Sequence, residues 1–193
     1  MDFIYSVDFA INDFINEHLT ASFLNPIMSF ISFLGNAGWF WIATALILLF
    51  FKKTRVIGIT MACSLIFSLI FTNLLLKPII DRPRPWDYAP QYLGREIQIL
   101  IEKPHDASFP SGHTSVSFAA AAAIFTRNKK YGSFALALAT LIGFSRLYFY
   151  IHYPTDVLGG LILGIAYGVA AYFLTNFIID LISKKLSKDN TSK

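Results

Sequence analysis

Between positions 18 and 51 the chain carries no Lys, Arg, Asp or Glu, and residues 56–76 form a second run without charge. About 20 apolar residues suffice to cross a bilayer's hydrocarbon, where backbone polar groups must be satisfied within the protein, so runs of this kind fold as helices. Over 193 residues, 55% are hydrophobic, 15% are charged and the mean hydropathy is +0.54, values that exclude a water-soluble globule and predict an integral membrane protein. The formal charge of +4 sits beside apolar runs, as membrane flanks do, with no separate basic face, so nucleic acid is excluded as a partner. Cys63 is the single cysteine and has no partner for an internal disulfide.

Taken in order, Phe3, Ile4, Val7, Ile11, Phe14 and Ile15 recur at helical spacing with acids between them, which predicts an amphipathic helix over 2–17 lying on a membrane surface. Its acids and lack of Lys or Arg do not make a cleavable signal peptide, so the mature chain is expected to start here. Gly35-Asn36-Ala37-Gly38 interrupts the first uncharged run and reads as a turn between two helical pieces. Trp39, Phe40 and Trp41 read as an interfacial aromatic belt at the start of the second piece, which Lys52, Lys53 and Arg55 close.

Residues 77–109 hold most of the mid-chain charge and are expected outside the hydrocarbon. A short alanine-rich helix follows over 111–125, suited to close packing, and a turn marked by Arg127, Lys129 and Lys130. The next apolar stretch ends at Arg146 and an aromatic cluster, Tyr148, Phe149, Tyr150 and Tyr153, that reads as an interface. A last crossing over 156–182 carries Gly160, Gly164 and Gly168 as one smooth packing ridge. The whole is expected to be an all-α polytopic bundle of five or six transmembrane helices plus the N-terminal amphipathic helix. It would form a single domain over 1–183, with 184–193 a polar, basic and disordered tail.

The stretch 108–114 joins one hydrophobic pattern to the next. Pro110 disfavours helix before it and Ser111 is a good N-cap, so the free N–H groups of a new helix start here and can hold an anion. Gly112 lets the backbone approach a phosphate, and His113 on the first turn can protonate a leaving oxygen. The basic segments at 52–55, 127–130 and 184–188 should share the cytoplasmic side, which puts both 77–109 and 146–156 on the outer face. Lys77, Arg84, Ser111, Gly112, His113, Arg146, His152 and Asp156 then gather there, and two histidines, one with an acid four residues on, suggest nucleophile and acid roles.

Lys77-Pro78-Ile79-Ile80-Asp81-Arg82-Pro83-Arg84-Pro85, Pro110-Ser111-Gly112-His113, and Ser145-Arg146 followed by His152 and Asp156 resemble, without a gap, the three motifs of the type 2 phosphatidic acid phosphatase family. The resemblance implies a membrane phosphatase acting on a lipid phosphate at the outer leaflet of the cell membrane, with His152 as nucleophile, Asp156 orienting it, and His113 as general acid and then base. Lys77, Arg84, Ser111, Gly112 and Arg146 would hold the phosphoryl oxygens. No metal and no cofactor is expected, since the cations supply the positive charge, and no obligate protein partner is evident beyond the lipid phosphate substrate and membrane lipids. Arg82, Lys103 and His105 offer charge for a second phosphate, and the run from Asp106 to Pro110 resembles the undecaprenyl-diphosphatase members, although those often carry Asp where Gly112 stands. Undecaprenyl diphosphate is therefore placed before phosphatidic acid and phosphatidylglycerophosphate. Vanadate-dependent haloperoxidases share the motifs but not the membrane-spanning composition, and a small transporter subunit would line its charges along a path rather than gather them on one side. His18, with no motif partner, reads as an interfacial or packing residue.

Overall fold

The computed structural model describes residues 3–191. Among these residues there are helices and no strand: α1 (Phe3–His18), α2 (Asn25–Leu34), α3 (Trp39–Phe50), α4 (Arg55–Phe67), α5 (Lys77–Ile80), α6 (Pro85–Tyr92), α7 (Gly112–Arg127), α8 (Lys129–Tyr148) and α9 (Pro154–Thr191). A 3-10 turn, Asn36–Gly38, joins α2 to α3, and a π-helical stretch, Ser68–Leu76, leads from α4 into α5.

Helix α7 is the axis. Ala119, Ala120, Ala121 and Ala123 have no exposed surface, and the side of α9 that faces them is the glycine ridge. An added Cβ would lie 2.7 Å from the Ser111 carbonyl oxygen at Gly160, 2.6 Å from that of Ser115 at Gly164, and 2.5 Å from Ala122 Cβ at Gly168. With lipid tails as apolar as leucine, helices gain contact only by close approach, which small residues on both faces permit. Large apolar side chains such as Leu46, Ile66, Leu74, Ile162 and Phe173 point outward.

Among the described residues, two segments, Arg55–Tyr92 and Pro154–Lys185, are long and apolar enough to cross a membrane, and α2 with the bent α3 would make a third if the pair, angled at 46°, is one span. The expected five or six crossings go beyond that count. The α7 helix, with 16 residues, is about 24 Å long against a hydrocarbon core of about 30 Å.

Several expectations change. The polar residues of α1 do not all face water: Asp8 and Asn12 are buried, while Phe3, Ile4, Val7, Ile11 and Phe14 are exposed. The helix is amphipathic with its apolar face outward, as a lipid-facing helix should be, and its polar pair serves the protein interior. Trp41 is not in a belt: it is 1% exposed, and its indole donates to Ser117 Oγ at 2.9 Å. The cluster Tyr148, Phe149, Tyr150 and Tyr153 is core rather than interface. Buried phenols need polar partners, and the Tyr148 hydroxyl donates to Asn25 Oδ1 at 2.6 Å and that of Tyr150 to Asp13 Oδ1 at 2.6 Å. The stretch after residue 183 continues α9 to Thr191 instead of forming a disordered tail, as no Pro or Gly follows Gly168; residues 192 and 193 lie outside the described residues.

The basic turns gather at one end of the bundle, where Arg127 reaches Thr60 Oγ1 at 3.1 Å and Asn176 Oδ1 at 2.7 Å. The motif residues lie at the other end, around α5, the starts of α6, α7 and α9 and the end of α8.

Candidate active site

His152 sits in the five-residue link 149–153 between α8 and α9, 1% exposed. Tyr150, at φ 57, turns the chain back so that α9 begins beside α7, and Asp156 on its first turn faces the ring. Asp156 Oδ2 lies 3.2 Å from His152 Nδ1 and also accepts from Ser108 Oγ at 2.5 Å and from the Tyr153 N–H at 2.9 Å. A carboxylate only accepts, so Nδ1 carries the ring proton. Arg84 Nη1, which only donates, lies 3.3 Å from Nε2, leaving that nitrogen as the lone-pair atom. Burial above all, then the charges of Arg84 and Arg146, hold the pKa of His152 well below the usual histidine value. The ring is a neutral imidazole with a fixed tautomer.

Beside Nε2 is a cradle of buried cations. Arg84, 3% exposed, donates from Nε to the Asp106 carbonyl at 2.8 Å, from Nη1 to the Ile151 carbonyl at 2.7 Å, and from Nη2 to Asp106 Oδ1 at 2.5 Å. Lys77 holds the other oxygen of the same carboxylate. Although partial burial opposes its ionisation, Asp106 is held down to about 2 by the hydrogen bond and charge of Lys77 and then by Arg84. Its two oxygens are thus held as an anion between the two cations. Arg146 completes the wall: Nη1 donates to Ser32 Oγ, and its buried Nε has no hydrogen-bond partner among the described residues.

The second motif enters through α7. The expected cap is present, with Ser111 Oγ accepting from the Thr114 N–H, while the Ser111 N–H donates to the Asp156 carbonyl at 3.1 Å and ties the helix start to α9. Gly112 stands where a Cβ would be 3.8 Å from Lys77 Nζ, so backbone and cation meet at the mouth. His113 is half-buried, with Nε2 at 2.7 Å from Asn36 Oδ1. It lies between two hollows. One, of about 580 Å³, contains Lys77, Arg84, Arg146, His152 and Gly112 and extends along apolar residues of α3 and α4; the other, of about 290 Å³, lies toward α2 and Lys103.

Lys77, Arg84, Ser111, Gly112, His113, Arg146, His152 and Asp156 thus come together. Arg82 joins them only through Asp156 and stays out of the cradle. It turns away from the cradle, donating to Asp156 Oδ1 at 2.6 Å and to Asp8 Oδ2 at 2.7 Å, with its guanidinium 4.0 Å from the Tyr153 ring centre. The expected contact with a second phosphate is withdrawn for Arg82, because two buried carboxylates hold it. His105 lines neither hollow, whereas Lys103 lines the smaller one. His18 is an exposed residue stacked on Phe14, as a packing residue would be.

The sequence did not disclose the supporting residues. Asp8 accepts from the Thr155 N–H at 3.0 Å, and Asn12 Nδ2 donates to the His152 carbonyl at 3.0 Å, so α1 braces the loop that carries the His152 ring. Their signal was present: a polar pair four residues apart on an amphipathic helix faces either water or a buried partner. Nothing in the spacing chooses between them.

Residues 57–180 match the sequence model of the PAP2 superfamily. Over 143 residues the chain is 36% identical to an undecaprenyl-diphosphatase of Sulfolobus acidocaldarius, a match covering 73% of this chain and 66% of that relative, just under two thirds of its length. LpxE of Aquifex aeolicus shares the fold with a TM-score of 0.74 at 24% identity, over 89% of this chain and 98% of that one. A PAP2-type phosphatidylglycerolphosphate phosphatase from Bacillus subtilis is similar with a TM-score of 0.70 at 27% identity, over 94% of this chain and 89% of that one.

Proposed function

The chain belongs to the PAP2 superfamily, and on that premise we propose that it hydrolyses a lipid diphosphate or phosphate at the outer leaflet through a phosphohistidine intermediate. The observation that carries the reading is the Asp106 carboxylate gripped by Lys77 and Arg84 beside the lone-pair nitrogen of His152, where a phosphoryl group fits the same donors. Planar guanidinium groups suit paired oxygens, and donors fixed in a buried site stabilise charge that grows in the transition state.

In the first step His152 Nε2 attacks phosphorus, the bond from phosphorus to the leaving oxygen breaks, and His113 gives that oxygen a proton. Asp156 holds the Nδ1 proton and stabilises the imidazolium that forms. In the second step His113 takes a proton from water, the oxygen attacks phosphorus, the P–N bond breaks, and inorganic phosphate leaves with His152 restored. The free donor of Arg146 and the N–H groups at the start of α7 hold the remaining oxygens. No step needs a metal ion, because Lys77, Arg84 and Arg146 supply the charge.

The bundle is read as one domain over 1–183 with five or six crossings, α7 included, and the site on the extracytoplasmic side, supported by the basic turns at the opposite end. The preferred substrate is undecaprenyl diphosphate. The named activity of the Sulfolobus relative and the second hollow beyond His113, lined by Lys103 and large enough for another phosphate group, support it. The deciding measurement is kcat/KM of the purified protein, in excess EDTA, for undecaprenyl diphosphate, phosphatidic acid and phosphatidylglycerophosphate side by side. The diphosphate is expected to lead, and Lys103→Ala to narrow the lead. A tenfold preference for either monoester, about 1.4 kcal/mol in transition-state binding, overturns the choice. A strict need for added divalent ion overturns the metal-free mechanism.

A further inference from the structure

The segment Gly35-Asn36-Ala37-Gly38 reads in the sequence as a plain turn between two helical pieces. In the fold it is a wall of the active site. Ala37 at φ 49 and Gly38 at φ 68 place two successive residues in the left-handed region, which folds the link back toward α7. A Cβ built on Gly35 would lie 2.7 Å from His113 Cδ2 and 2.8 Å from Ile142 Cγ2, so only a residue without one leaves the imidazole its place. Asn36, next in the chain, sets its side-chain oxygen 2.7 Å from His113 Nε2.

We propose that Asn36 is a positioning residue for His113: it accepts the Nε2 proton, fixes the tautomer, and makes Nδ1 the nitrogen that gives and takes the catalytic proton. The oxygen of an amide has no proton to give, so the hydrogen between them belongs to Nε2. The Cδ2 edge of the ring lies against Gly35, and Nδ1 is on the opposite edge, turned from that wall. The charges that act on His113 are those of Arg146, Lys77 and Arg84, which have no acceptor to offer, and His152 keeps its Nδ1 proton on Asp156. The carboxylate of Asp106 is held by Lys77 and Arg84. Glu102 and Lys103, across the smaller hollow, complete the ionisable groups on that side.

A neutral acceptor is what a residue that must lose and regain a proton within one turnover needs. A carboxylate there would hold the imidazolium as an ion pair, whereas an amide orients the ring without committing its charge.

The inference rests on the reading of His113 as general acid, and the test separates the two. For wild type, His113→Ala, Asn36→Leu, Asn36→Ala, Asn36→Asp and Gly35→Ala, kcat/KM is measured with 4-nitrophenyl phosphate, whose leaving group needs little protonation, and with dodecyl phosphate, whose alkoxide needs it. Positioned proton transfer contributes about 100- to 10,000-fold, and losing its orientation is expected to forfeit about 30-fold on dodecyl phosphate and less than about threefold on the aryl ester. Asn36→Asp, which keeps an acceptor in place but holds the imidazolium as an ion pair, should recover only part of the dodecyl phosphate rate and move its pH optimum upward, and Gly35→Ala should mimic Asn36→Ala. A merely structural role predicts equal losses on both esters. If Asn36→Leu and Asn36→Ala slow both substrates equally, or leave both near wild type, while His113→Ala shows the leaving-group-dependent loss, the inference is wrong and the acid assignment stands. If His113→Ala itself treats the two esters alike, the acid assignment fails and the inference with it.

Discussion

The two histidines at the mouth of the bundle are housed in opposite ways. His152 is 1% exposed, in a short link braced by α1, and its proton-bearing nitrogen faces a carboxylate that accepts three further hydrogen bonds, from Ser108, Tyr153 and Arg82. His113 is half-buried on the first turn of α7, between two hollows, and faces the neutral amide of Asn36. A nucleophile profits from being fixed and uncharged before substrate arrives, and from a negative partner once it becomes an imidazolium. A group that shuttles a proton to a leaving oxygen and from water has to remain open to both. The difference in surroundings fits the two distinct roles proposed for residues that are the same amino acid.

The comparison can be broken most directly by deleting each ring. His152→Ala is expected to lower kcat for phosphate release by about four orders of magnitude, and His113→Ala by about two to three, with the purified proteins still folded as judged by an unchanged Tm. Near-wild-type turnover in His152→Ala would end the phosphohistidine route, and a larger loss at His113 would reverse the assignment. Asp156→Asn comes next, at about 100-fold in kcat with little change in KM, since it removes the charge that meets the developing imidazolium but leaves the ring in place. A change confined to KM would make Asp156 part of substrate binding instead.

The smallest effect tests the cradle between the rings. Asp106→Ala removes the carboxylate that competes for Lys77 and Arg84, so inhibition by orthovanadate should tighten by about fivefold, the value of an ion pair worth about 1 kcal/mol. The Asp106 side chain is 54% exposed, which keeps the figure that low. The pKa of Asp106 is depressed to about 2, so the stabilisation from its pairs is fully present above the ordinary carboxyl value and is lost only as pH falls through that lowered one. From pH 5 to 9 the effect of Asp106→Ala should be constant. Weaker vanadate binding would show that Asp106 shapes the cradle rather than occupying it.

What the sequence by itself determined is the part of the molecule that depends on spacing and composition. The charge-free runs required helices in a membrane, the glycines at 160, 164 and 168 required a close helix neighbour, Ser111 marked the start of α7, and the basic turns marked one end of the bundle. The motif residues at 77–85, 110–113 and 145–156 were legible because their chemistry is unusual beside apolar runs. Tertiary structure alone decided where each polar group spends its hydrogen bonds. Arg82 and Arg84 differ by two positions and are the same residue type, yet one is sequestered by Asp8 and Asp156 and the other grips Asp106, because the turn after α5 at Asp81, φ 43, and the prolines that follow point them to opposite sides. Asp8, Asn12 and Asn36 sit more than 70 residues away in sequence from the histidines they touch or brace, and no local pattern carries that information. Hydrophobic period is a property of one helix, whereas a buried hydrogen bond is a property of two elements meeting, and only the packing of α1 and the 35–38 turn against the ends of α7, α8 and α9 brought those elements together.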